Sequence, residues 1–295
     1  MSTVKNRVSE GSTGEYRPEP LEIDVPRLGG AGLDGIDQAA EMDHAEHLLA
    51  VREGRIGSVH SWELVTAVDG PGTRMTTFFA GCPLRCLYCH NPDTMKMREG
   101  TAVTAEALLK KIKRYRAVFR ASKGGVTFSG GEPLMQPAFL ARLLRECKEM
   151  GIHTAIDTSG YYGAHLTDEM MNNLDLVLLD VKSGIPEIYK ETTGRELQPT
   201  LDFGKRLSDA GKRIWIRFVL VPGLTDDEAN INAVADIVAQ WSSVERVEVL
   251  PFHQMARDKW DSLGMEYKLA DVQPPSKEDA EKAREIFRAR GLDVY

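Results

Sequence analysis

From Ile56 to the carboxyl terminus, short apolar runs of strand-like composition alternate with longer stretches of helical period. Strands are expected at 73–80, 125–129, 153–157, 176–181, 213–221 and 246–251. Helices are expected between them near 104–119, 137–150, 167–174, 199–210 and 226–241, with a last one near 276–290. A strand returns parallel to its predecessor only through a crossover, usually a helix, so this order favours a parallel sheet. The run Leu176-Val-Leu-Leu-Asp-Val181 is almost continuously apolar, as a strand covered on both faces requires. Helix ends carry their own signals. Thr225 to Glu228 and Ser276 to Asp279 have capping spacing, and Gly151, Gly211 and Gly291 sit where helices should stop. Six β/α units predict an α/β fold, a partial (β/α)6 barrel of parallel strands.

The first 55 residues differ in kind. They hold eleven acids against six bases, whereas the remainder of the 295-residue chain holds 33 acids and 31 bases within a net charge of −7. Pro, Gly, Ser and acids dominate residues 1–36, which read as disordered or as an arm on the surface. Asp37 is placed to cap a short helix through Ala39, Leu48, Leu49 and Val51. Residues 1–55 are therefore expected to form an acidic, largely irregular extension, and 56–295 the barrel domain. The near-neutral barrel gives no case for nucleic-acid binding. No apolar run approaches the length of a membrane span, and the first thirty residues contain no secretory signal. A cytoplasmic monomer is expected.

Polar residues gather where the expected strands end, which in a β/α barrel is where active sites assemble. After the first strand stand Cys82, Cys86 and Cys89, three of only four cysteines, in Gly-Cys82-Pro-Leu-Arg-Cys86-Leu-Tyr-Cys89-His-Asn. Three thiolates spaced this way can hold three corners of a four-iron cubane, whose irons normally take four. The fourth iron would then be an open position of the kind at which metal enzymes bind substrate. Three other readings compete. Cys86 to His90 matches the C-x-x-C-H haem-attachment pattern, but that chemistry needs export and leaves Cys82 idle. A structural zinc site needs a fourth ligand; Cys147 lies on an amphipathic stretch and reads as a small core residue, while His90 is too close to Cys89. A disulfide needs an oxidising compartment that nothing in the chain implies.

The later strand ends add further candidates. Gly130 and Gly131 remove two β-carbons where a ligand could approach bare backbone, and Glu132 can support that loop; an ordinary glycine turn is the plain alternative. Asp157 and Asp180 suit a ribose diol, or else a cap or structural hydrogen bond. Lys182 suits a ligand carboxylate or plain solvation, and His253 a ligand contact or a satisfied edge position. Arg217, within a barrel strand, requires an anionic partner inside. The basic run from Lys110 to Arg116 reads as a solvated helix face. Val68-Asp-Gly-Pro-Gly72 is a turn before the first strand that could line the rim of the mouth.

At these residues the chain resembles the radical S-adenosylmethionine enzymes, whose signature is Cys82-x3-Cys86-x2-Cys89 followed by Gly-Gly-Glu132. More narrowly, it is similar to the family of activases that serve pyruvate formate-lyase, from about Gly57 to the end. The likeness includes Val68-Asp-Gly-Pro-Gly72, Gly125-Val-Thr-Phe-Ser-Gly-Gly-Glu132, Asp180-Val-Lys182, Trp215-Ile-Arg-Phe218 and Leu250-Pro-Phe-His253. The resemblance implies a [4Fe–4S] cluster on Cys82, Cys86 and Cys89, with S-adenosylmethionine chelating the open iron. One-electron cleavage would yield methionine and a 5′-deoxyadenosyl radical that takes a hydrogen atom from a glycine of pyruvate formate-lyase. It implies that Tyr88, His90, Asn91, Gly131, Asp180, Val181, Lys182 and His253 line the S-adenosylmethionine site, with Gly130 and Glu132 beside them. Asp157 would hold a monovalent cation with Asp180, and a reduced flavodoxin or ferredoxin would donate the electron. No cysteine lies between Cys89 and Cys147, so the ferredoxin-like insert of other activases is missing, and an unclosed barrel leaves a gap for a protein loop. A radical enzyme acting on another glycyl-radical enzyme or on a small molecule, and a haem- or zinc-carrying binding protein, remain as alternatives. Two features depart from the family: the acidic extension, and Lys123 in a loop that is usually glycine-rich.

Overall fold

The computed structural model describes residues 32–66 and 68–295. Its strands are β1 (Ile56–Thr66), β2 (Thr73–Phe79), β3 (Thr101–Thr104), β4 (Gly125–Gly130), β5 (His153–Thr158), β6 (Leu176–Asp180), β7 (Ile214–Leu220) and β8 (Val244–Pro251). They form one sheet in the order β3-β1-β2-β4-β5-β6-β7-β8. From β2 to β8 every pairing is parallel, and these six strands end within two residues of the positions expected from the sequence. The sheet does not close among the described residues, in keeping with a partial barrel. The chain end instead covers the β8 edge. Val247 N–H donates to Asp293 O at 2.8 Å and Tyr295 N–H to Val247 O at 2.9 Å, so the edge amides are satisfied.

β1 and β3 are absent from the sequence reading, and both run antiparallel at the sheet's other margin. β1 shifts register between Val59 and Ser61, which breaks the two-residue alternation by which a half-buried strand is recognised. β3 has only four residues.

The helices are α1 (His44–Arg52), α2 (Ala105–Arg114), α3 (Arg116–Ser122), α4 (Pro137–Glu149), α5 (Asp168–Asn172), α6 (Pro186–Thr193), α7 (Gln198–Asp209), α8 (Glu228–Val238), α9 (Arg257–Ser262) and α10 (Lys277–Arg288). The single pattern expected over 104–119 is two helices, separated at Tyr115, whose ring lies near both Trp62 and Phe119. Ser276 and Asp279 form the expected capping box. At α8 the cap is Asp227, because Thr225 is occupied closing the turn between Val219 and Val221. Gly151, Gly211 and Gly291 take the left-handed conformation just past α4, α7 and α10.

The amino-terminal helix is capped by Asp43, not Asp37: Asp43 Oδ1 accepts from Glu46 N–H at 2.8 Å. Ala50 is its buried residue, while Leu48, Leu49 and Val51 are exposed. Ahead of it, Ile36 enters the core and Gln38 bridges Val103. Lys111 does not face solvent as expected of the basic run. It is buried under this segment, donating to Asp34 O at 2.8 Å above the Trp62 ring. The expectation for residues 1–31 lies outside the described residues.

The main core is continuous between sheet and helices, and Cys147 sits in it fully buried on α4. Phe79 joins the sheet to that layer, its ring 5.8 Å from Phe128 and 5.4 Å from Phe139. Replacing Phe79 with Ala removes a buried aromatic from the strand that carries the cysteine loop. It should cost about 3–5 kcal/mol in chemical denaturation; a loss below about 1 kcal/mol would mean that this contact is not structural.

Candidate active site

The loop after β2 has little regular structure, so its shape depends on backbone bonds to neighbours. Gly81 N–H donates to Thr94 O at 2.7 Å and Cys82 N–H to Met95 O at 3.0 Å, folding it onto the turn Pro92–Thr94. Arg85 N–H and Leu87 N–H bond Thr193 O and Thr192 O at the end of α6. Arg195 Nε donates to Pro83 O at 2.8 Å, and Trp260 Nε1 donates to Cys89 O at 2.9 Å. Cys82 and Cys89 are half-buried and Cys86 is buried; none is in a disulfide. Burial pushes all three thiols up, Cys89 to about 12, with the Lys182 ammonium opposing at Cys86 and Cys89. Such thiols become thiolates by binding metal, which deprotonates its ligands.

Gly130 and Gly131 let β4 meet this loop. Gly131 N–H donates to Phe79 O, Glu132 N–H donates to Gly81 O, both at 2.8 Å, and a β-carbon on Gly131 would collide with Gly81 O. The bare backbone thus admits the cysteine loop itself. The Glu132 side chain is completely buried and saturated. Its Oε1 accepts from Leu134 N–H at 3.1 Å and Thr158 Oγ1 at 2.7 Å; its Oε2 accepts from Ser159 N–H at 3.0 Å and Ser159 Oγ at 2.6 Å. Burial raises this carboxyl, and the bonds from Ser159 and Thr158 oppose the rise. Glu132 therefore acts on any ligand by fixing the ends of β4 and β5.

The interior carries a charge network. Arg217 Nη1 lies 3.2 Å from Asp157 Oδ2 and 3.6 Å from Asp69 Oδ1, and its Nε lies 3.9 Å from Glu248 Oε2. Burial alone would lower Arg217, but the surrounding carboxylates, Asp157 first, outweigh it and raise it. The anionic partner required by the sequence is therefore present. Asp69, in the turn before β2, reaches the lumen, where Thr76 Oγ1 donates to it at 3.0 Å; its turn precedes the strand, so it enters from the end opposite the cysteines. Sequence reasoning missed that role. Asp157 also accepts from Ser129 Oγ at 2.7 Å, while its Oδ1 is buried with no hydrogen bond.

Nearer the cysteines, Lys182 Nζ donates to Asp180 Oδ2 at 2.8 Å and lies 5.5 Å from the Tyr88 ring centre. Burial lowers the Lys182 ammonium and Asp180 raises it; the net shift is well upward, so it stays charged. Val181, between them, is fully buried. The His90 and His253 rings lie 4.1 Å apart, joining the cysteine loop to the end of β8. Asn91 Oδ1 accepts from Lys259 Nζ at 3.1 Å. Lys259 and Trp260 belong to α9, a six-residue helix too short to leave a periodic signal, and were not foreseen.

The residues fit the group that the motif implies. Three thiols with no disulfide partner share one loop, Tyr88 Oη and Asp157 Oδ1 are buried without hydrogen bonds, and a charged Lys182 stands beside the thiols. Among the described residues no three His, Cys, Asp or Glu side chains converge as they would around a single ion. A cubane spreads its ligands over separate irons, so the two observations are compatible.

Glu132→Gln tests the joint between the strands. An amide nitrogen would meet donors where a carboxylate oxygen now accepts, costing about 2–4 kcal/mol of stability and lowering retained iron after reconstitution. Wild-type stability and iron content in this variant would show that the saturated carboxylate is dispensable.

Residues 76–232 match the Radical SAM superfamily. Over 234 residues the chain is 47% identical to the pyruvate formate-lyase-activating enzyme of Clostridium pasteurianum, a match covering 79% of this chain and 98% of that one. It is 42% identical over 241 residues to the pyruvate formate-lyase 1-activating enzyme of Escherichia coli K12, covering 81% and 98%. Among solved structures, a radical SAM methyltransferase from Sphaerobacter thermophilus superposes with a TM-score of 0.54 at 16% identity, covering 86% of this chain and 81% of that one. That last likeness speaks for the fold alone. The chain belongs to the radical SAM superfamily and, within it, to the family of pyruvate formate-lyase-activating enzymes.

Proposed function

We propose that this protein activates pyruvate formate-lyase under anaerobic conditions by generating a glycyl radical on it. The observation that carries this reading is a three-thiol loop at the carboxyl mouth of an open parallel barrel, in a chain 47% identical to an enzyme of that name. Radical SAM enzymes use a [4Fe–4S] cluster and S-adenosylmethionine; when bound, they supply the one-electron cleavage to methionine and a 5′-deoxyadenosyl radical. Everything else falls to the polypeptide.

Cys82, Cys86 and Cys89 hold three irons. Cys147 is withheld as a fourth ligand by its place in the core of α4. Lys182, kept charged and oriented by Asp180, meets the carboxylate of S-adenosylmethionine. Tyr88, His90, Asn91, Val181 and His253, with the backbone at Gly130 and Gly131, line the rest of its site, while Glu132 fixes that backbone. The closely apposed, tilted imidazoles and the buried Tyr88 exclude water from the reacting region. Asp157, with an unsatisfied oxygen, and Asp180 hold a monovalent cation. A reduced flavodoxin or ferredoxin supplies the electron to a cytoplasmic, monomeric enzyme, whose barrel domain is residues 56–295 and whose extension is 1–55. No described helix is long and apolar enough to cross a membrane.

Incubating the reduced protein anaerobically with S-adenosylmethionine and pyruvate formate-lyase should produce a glycyl-radical doublet in electron paramagnetic resonance. Silence there, with turnover of a small molecule, would overturn the reading. Cys86→Ala should lose the cluster, whereas Cys147→Ala should keep its iron at a stability cost of about 1 kcal/mol. Iron loss in both variants would mean that a fourth thiolate closes the site.

A further inference from the structure

We propose that a recess at the amino-terminal rim of the barrel, lined by Arg116, Arg120, Lys123 and His153, binds phosphate, free or as a small phosphomonoester. Lys123 leads into β4 and His153 opens β5, whereas the cysteines follow β2, so the recess lies at the end of the parallel strands opposite the active site. Its volume is about 210 Å³, enough for a phosphate carrying a few carbons.

The lining offers donors and positive charge with no carboxylate. Arg116, Arg120 and Lys123 are exposed, and none has an ion-pair partner among the described residues. The acid that acts on His153, Asp175, is already occupied by Lys148 Nζ at 2.7 Å and Thr154 N–H at 2.9 Å. Three cations held together without counter-charge repel one another, and an oxyanion relieves that repulsion.

Lys123 supplies an independent observation. It is the one non-glycine residue with positive φ among the described residues, at 55°. The backbone on either side of it is closely packed. A β-carbon on Gly124 would collide with Thr73 O, and one on Gly72 with Ser122 O. Glycine would adopt this backbone without strain, so what lysine adds here is its ammonium.

His153 forms part of the wall. Arg74 Nη1 approaches its Nδ1 at 3.4 Å, and a guanidinium can only donate, so the neutral ring carries its proton on Nε2. Burial, then Arg74, pushes this imidazole down to about 4, and its buried Nε2 has no hydrogen-bond partner. That nitrogen lies beneath the surface, so His153 shapes the wall while the charged donors open to the recess are those of Arg116, Arg120 and Lys123.

The test uses the full-length, anaerobically reconstituted protein, titrated calorimetrically at constant ionic strength with inorganic phosphate and with glycerol phosphate. Saturable one-site binding of at least one is expected, and which one binds identifies the source of the group. Lys123→Gly and Arg120→Gln should each weaken it at least tenfold. Lys110→Gln, an exposed lysine outside the recess, should leave it unchanged. In phosphate-free buffer Lys123→Gly should melt no lower than the wild type, which separates lost binding from lost folding. No saturable binding of either probe, or an equal loss in Lys110→Gln, would overturn the proposal. Binding is read without turnover, so the result stands apart from the radical activity.

Discussion

The buried carboxylate of Glu132 is the joint on which the catalytic mouth depends. Four donors converge on its two oxygens and leave no acceptor site unused. Three come from the end of β5 and one from the turn after β4, so the group ties two adjacent strand ends together. One peptide earlier, Gly131 bonds Phe79 O, and the Glu132 amide bonds Gly81 O at the root of the cysteine loop. A carboxylate desolvated this completely is costly unless paired, and here backbone and hydroxyl donors do the pairing. Rigidity at that point is transmitted to Cys82 through only two backbone bonds.

A second set of buried charges serves a different purpose. Arg217 lies among Asp157, Asp69 and Glu248 at 3.2–3.9 Å, so the network is held by charge more than by ideal hydrogen bonds. Asp157 Oδ1 remains unsatisfied within it. Residual polarity of this kind is common where a lumen must receive something besides protein. The Lys182–Asp180 pair is closer, at 2.8 Å, and stands beside Tyr88 and Cys86. The interior thus divides into a saturated structural carboxylate and a charge network that is only partly satisfied by the protein.

Much of this was legible in the sequence because the parallel strands are short, apolar and punctuated by glycine. The three cysteines and the Gly-Gly-Glu motif stood at strand ends, and Arg217 announced its need for carboxylates. What was not legible had physical causes. The register shift in β1 erased its alternation, and α9 was too short for a period, which concealed Lys259 and Trp260. Asp69 looked like rim decoration because a turn before a strand lies far from that strand's end. Its side chain nevertheless runs inward to Thr76 and Arg217. Lys111 looked solvated because nothing local reveals that the segment around Asp34 covers it. The motif marks Glu132 at the end of β4, but nothing in the sequence reveals that its oxygens are fully used by the protein.

The central claim is that the polypeptide ligates three irons of a cubane and leaves one for S-adenosylmethionine. Mössbauer spectroscopy of protein reconstituted with isotopically enriched iron tests it most directly. One iron site of the cluster should change its isomer shift and quadrupole splitting when S-adenosylmethionine is added, while the other three stay as they were. Spectra that are identical with and without the compound, with every iron already in a thiolate environment, would contradict the account.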